Sequence, residues 1–117
     1  MIKLRGHHLE TLRNYIRAHI NGEDPQTDRK YADEYGDEFV DKRIALFGQL
    51  IQNPQTKILL VANEFDILCN NDCKLKEPDC IKPLGWDEYT AQSYGYVIGR
   101  TYTIDEIISE VRRTKKV

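Results

Sequence analysis

Cys69, Cys73 and Cys80 are the only cysteines in the chain, and they stand within twelve residues as C-x3-C-x6-C. Thiolates gathered on one segment bind soft or borderline cations, zinc foremost, and the same donors assemble iron–sulfur clusters. The residues around them, from Asn63 to Gly85, are crowded with Asp, Asn, Lys and Pro and carry few aliphatics. A loop of about twenty residues inside a compact domain needs something to hold it. A metal ion would do so, and its binding energy would then be folding energy. A disulfide is disfavoured in a reducing compartment and would leave one thiol over. Asp66 and Asp72 lie in the same segment and read as turn formers.

A closed tetrahedral site needs a fourth donor, and the chain offers His7, His8 and His19. On the first turn of a helix, adjacent side chains diverge by about 100°. One of His7 and His8 is therefore expected to complete the set begun by Cys69, Cys73 and Cys80, while His19 is left without a role. Three cysteines exclude a four-thiolate cluster within one chain, whereas a Cys3His cluster or one shared between subunits stays open. Zinc accepts Cys3His without any redox demand and serves small domains as a cross-link. Zinc is the expected ion, with an iron–sulfur cluster the alternative.

The same residues also admit an enzyme reading. His8-Leu9-Glu10 matches the H-x-E element of zinc deaminases, in which the glutamate shuttles the proton. Those enzymes carry P-C-x-x-C, whereas here the spacing is C-x3-C and Pro78 is separated from Cys80 by Asp79. A third thiolate would also close the position that water needs on the ion. Glu10 then reads as a first-turn acid favoured by the helix dipole. No G-x-x-x-x-G-K phosphate loop and no G-x-S-x-G elbow occurs. A metal-binding protein with no catalytic residue is the expectation, and a zinc-dependent hydrolase is the second alternative.

The elements that must position these groups follow from the apolar pattern. Ile2 to Leu4 predicts a short strand. Leu9, Leu12, Ile16 and Ile20 recur at helical spacing, predicting a helix over His8 to Ile20 stopped by Asn21-Gly22. Phe39, Val40, Ile44, Phe47, Leu50 and Ile51 predict a second helix from Asp37 to Gln52, ended by Asn53-Pro54. Lys57 to Ala62 reads as a central buried strand. Asp87 is expected to cap a short helix reaching Tyr94, with Gly95 as its stop. Thr103 and Glu106 have capping-box spacing ahead of a last helix carrying Ile104, Ile107, Ile108 and Val111. Tyr94, Tyr96 and Tyr102 read as core aromatics. The fold class expected is α+β, mainly helices on a short sheet, with a metal-pinned cysteine loop.

The chain has 117 residues, 17 Lys and Arg against 19 Asp and Glu, and a formal net charge of -2. One domain, residues 1–117, is expected at this length. Balanced charge leaves no general field for phosphates, so nucleic acid is not an expected partner. Only Arg112-Arg113-Thr114-Lys115-Lys116 is locally basic, as suits a helix C-terminus; that tail and the tyrosines would be the contact points of a partner-binding adaptor. The longest apolar run, Ile58 to Ala62, falls far short of a bilayer. The opening residues carry no apolar signal core, and the cytoplasm is the expected location.

These residues also carry a resemblance. Arg5-Gly6-His7-His8-Leu9 with Leu12, Tyr35-Gly36-Asp37-Glu38-Phe39-Val40, Asp66-Ile67 ahead of the cysteines, and Asp87 with Gly99-Arg100-Thr101-Tyr102-Thr103 resemble Domain of Unknown Function 1284. That family comprises short archaeal and bacterial proteins often labelled iron–sulfur-binding. The resemblance spans nearly the whole chain and implies metal binding, with no activity attached. Thr11 stands where the family usually has cysteine, and Cys69 and Cys73 are further apart than in its pattern. The lost thiol favours zinc over a four-thiolate cluster in this member.

Overall fold

A computed structural model describes residues 1–23, 37–62 and 85–114, with the backbone alone described for 37–40. Cys69, Cys73 and Cys80 lie outside these residues. Among the described residues, four helices pack on a three-stranded mixed sheet, the α+β architecture that the pattern predicts. Strand β1 (Ile2–Arg5) leads directly into helix α1 (Gly6–Asn21). Helix α2 (Asp37–Gln52) precedes strand β2 (Lys57–Val61). Helix α3 (Trp86–Ser93), strand β3 (Thr101–Thr103) and helix α4 (Ile104–Thr114) complete the order.

The sheet runs β1-β2-β3, so the aliphatic strand is central as expected. β1 pairs with β2 in parallel, with Ile2 opposite Ile58 and Arg5 opposite Val61. β3 pairs antiparallel on the other side, with Lys57 opposite Thr103 and Leu59 opposite Thr101. Ile58 and Leu60 are buried while Leu59 is half-buried and Lys57 exposed. Ile58 and Leu60 point to one face of the sheet and join the core under the helices, while Leu59 points to the other.

Helix α1 is the spine, packed against all three other described helices. Its Leu9, Leu12 and Ile16 meet Leu4, Phe47, Leu60, Ile104 and Ile107 in one core. It starts at Gly6, two residues before the predicted His8, because the chain turns straight out of β1. Gly22, at φ 72°, ends it, with the Gly22 and Glu23 amides donating to the His19 and Ala18 carbonyls. α2 has the predicted bounds, and α4 has its capping box: Glu106 N–H donates to Thr103 Oγ1 at 3.2 Å and Thr103 N–H to Glu106 Oε1 at 3.3 Å. Gly95, at φ 85°, follows α3 as the predicted stop.

The start of α3 differs from expectation. Its N-cap is Gly85, and Asp87 sits inside the first turn, buried. The Asp87 carboxylate turns away from its own helix and accepts the His7 N–H of α1 at 2.8 Å. The first amides of a helix lack partners within it, and Asp87 supplies one to the neighbouring helix. No described helix is long and apolar enough to cross a membrane.

Candidate functional site

The heads of α1 and α3 meet where β1 ends. Gly6 makes this approach possible: a Cβ there would sit on the backbone carbonyl of Asp87. The close contact brings Asp87 against Arg5, whose Nε lies 3.1 Å and 3.2 Å from the two carboxylate oxygens. Both side chains are 1% exposed, which makes this a buried ion pair. Asp87 therefore binds one cation and one open helix amide at once, and it locks the two helix heads together.

His7 lies just beyond this lock. Its ring centroid is 5.1 Å from Trp86 and 5.3 Å from His8, both tilted. His8 is buried and His7 is half-buried. Burial, reinforced by the charges of His8 and Arg5 and by Arg43, and opposed by Asp87, lowers the His7 pKa to about 4. Its imidazole is neutral at physiological pH, with a lone pair available to a metal or a hydrogen-bond donor.

The strand register decides what comes next to this pair. Val61 stands opposite Arg5, so β2 delivers the chain to the head of α1 before residues 63–84 begin. Trp86 stacks on His7, so the chain resumes at the same place. The chain thus leaves β2 beside Arg5, two residues before His7, and resumes with Trp86 against the His7 ring. His19 is elsewhere: it is exposed, and twelve residues of helix place it roughly 18 Å along α1 from His7. Among the described residues no three His, Cys, Asp or Glu side chains converge as a metal site.

A second polar cluster ties α1 to α4. Arg13 makes two hydrogen bonds of 2.7 Å to the Glu110 carboxylate, and Tyr96 Oη donates to the same carboxylate at 2.9 Å. The Arg13 guanidinium lies 3.8 Å over the Tyr94 ring, whose hydroxyl donates to Glu10 Oε1 at 3.2 Å. Burial alone would push the Glu110 carboxyl up; the Arg13 and Tyr96 hydrogen bonds outweigh it and hold it below the usual range. Burial and the bond to Glu110 push the Tyr96 hydroxyl up. The tyrosines serve the interior, as expected: Tyr96 is buried and meets Tyr102 edge-on at 4.9 Å.

Sequence reasoning gave Arg5 and Arg13 no role and expected Asp87 to cap its own helix rather than to pair with Arg5 and accept the His7 amide. For two of these a signal existed. Arg13 falls on the Leu9, Leu12, Ile16 stripe, and Asp87 lies four residues before the buried Ala91, so both charges occupy core-facing helix positions. A charge on an apolar stripe has to find a partner. Comparison of the chain with family models, curated proteins and solved structures finds no match.

Proposed function

We propose that the protein binds a structural zinc ion through Cys69, Cys73, Cys80 and one of His7 and His8, the ion clasping residues 63–84 to the heads of α1 and α3. The observation that carries this reading is the return of the cysteine segment to its starting point: it leaves beside Arg5 and rejoins at Trp86, on the His7 ring. Reach is no obstacle, since Cys80 is five residues from Gly85 and an extended chain spans about 3.3–3.6 Å per residue.

The chemistry of the donors supports the same assignment. A zinc ligand must be deprotonated, and the neutral His7 imidazole meets that condition. Three thiolates, one imidazole and Zn2+ would sum to a single negative charge. When bound, zinc supplies a cross-link in a segment with few apolar groups. The Tyr94 hydrogen bond to Glu10 favours this structural role over the hydrolytic one, because it engages the residue that would shuttle the proton. A reducing cytoplasm suits three thiolates, and kinship with Domain of Unknown Function 1284 belongs to the same proposal.

The test is elemental analysis of protein purified under reducing, anaerobic conditions, followed by chelation. Stoichiometric zinc and a melting temperature that falls on chelation are expected. Visible absorption with acid-labile sulfide would transfer the site to an iron–sulfur cluster. Absence of any stoichiometric metal, with folding indifferent to the chelator, would end the proposal.

A further inference from the structure

The opposite end of the molecule carries a surface that the metal reading leaves unused. An open groove of about 300 Å³ runs between the C-terminal ends of α1 and α2 and the outer face of α4. Ile20, Ile51 and Ile108 are half-buried in its floor, and Asp105, Ser109 and Arg112 of α4 line its edge. Asp105, Ile108, Ser109 and Arg112 are spaced i, i+3, i+4, i+7 and form one stripe along the helix. Its ends are oppositely charged and about 10.5 Å apart. Neither Asp105 nor Arg112 makes an ion pair among the described residues. The helix dipole accounts for the signs of these charges, but not for the apolar centre between them, which no described residue covers.

Such a stripe is its own complement when reversed. A two-fold axis between Ile108 and Ser109 lays Asp105 of one copy over Arg112 of the other, twice, and sets Ile108 against Ser109. The helix dipoles are then antiparallel, and each Ile108 is covered by the other copy between the two ion pairs. We infer that this face of α4 is an isologous contact through which two copies of the chain associate. The charge pattern selects a second copy over other occupants, because one surface supplies both halves of each pair. A single helix with its flanking groove lies at the small end of specific interfaces, below about 800 Å² per partner, so the dimer is weak and concentration-dependent.

Sedimentation of the full-length protein as purified, over a wide concentration range, tests this. The wild type should pass from monomer to dimer. Asp105→Arg and Arg112→Asp should each weaken association by about tenfold or more, since the two-fold axis applies each reversal twice. The doubly swapped Asp105→Arg/Arg112→Asp should recover to within about threefold of wild type, because it restores both pairs. Ser109→Arg, an exposed change beside the axis, should abolish the dimer while leaving the melting temperature near wild type. A wild type that stays monomeric at its solubility limit overturns the inference, and so does a dimer that survives both Asp105→Arg and Ser109→Arg. A monomer that binds hexanoate, with binding lost in Ser109→Arg, overturns it in favour of a small amphipathic ligand.

Discussion

Replacing Asp87 should rank among the costliest single changes in the described residues. Its carboxylate and the Arg5 guanidinium are both 1% exposed and 3.1 Å apart, and the same carboxylate receives the His7 amide at 2.8 Å. Removing one member of a buried pair costs about 3–5 kcal/mol. Losing the acceptor of an open helix amide adds about 1 kcal/mol. The sum, roughly 4–6 kcal/mol, is a large part of the about 5–15 kcal/mol typical of a domain. In urea, with a slope of about 1.5 kcal/mol/M, Asp87→Ala should lower the midpoint by roughly 3–4 M. Asp87→Asn keeps an oxygen for His7 N–H and loses only the charge, so it should recover about 1 kcal/mol of the loss. Arg5→Met/Asp87→Leu removes both charges and should be more stable than Asp87→Ala despite carrying two changes. The fluorescence of Trp86, the only tryptophan, reports the transition from within the same junction. All variants should be compared at equal metal content. A loss below about 1 kcal/mol for Asp87→Ala, or a double variant weaker than the single, would refute the view that this pair locks the two helix heads.

Gly6→Ala should destabilise by about 2–3 kcal/mol by forcing the heads of α1 and α3 apart, measured as a melting shift; a neutral substitution would show that the close approach to Asp87 is not required. Cys73→Ser should release zinc and lower the melting temperature strongly, since a hydroxyl is a poor zinc ligand; an unchanged metal content counts against the proposed site. His7→Ala and His8→Ala should differ in zinc retention, because the proposed set takes one imidazole, and equal retention would place the fourth ligand elsewhere. Glu110→Gln should cost about 1–3 kcal/mol at neutral pH by weakening the bonds from Arg13 and Tyr96. Because folding lowers the Glu110 pKa, its contribution is full above the ordinary value of 4.5 and is lost as pH falls through the depressed folded value. The wild-type advantage over Glu110→Gln should therefore shrink on acidification, and a constant difference in denaturation midpoints would contradict it.

The local stops and starts were legible from the residues alone. Gly22 after Asn21, Pro54 after Asn53, Gly95 after Tyr94 and the Thr103 to Glu106 box each act over a few residues of chain, so a short window of sequence contains both partners. The apolar stripe of α1 was legible for the same reason, as was the α+β class. The candidate site was legible as chemistry, in the cysteines and the histidine pair. What brings its described parts together was not, because residues 82 apart share no window.

Asp87 illustrates the boundary between the two. Its position ahead of a helical pattern announces a cap, and it does cap a helix, but the helix is α1. That outcome depends on Gly6 admitting α3 to contact distance and on β1 and β2 running parallel, so that Arg5 ends opposite Val61. Local hydrogen bonding and periodicity determined where the elements begin and end. Only the tertiary structure decided which charges meet and that β2 ends beside Arg5 while Trp86 meets His7, because burial makes a charge seek whichever partner is closest in space.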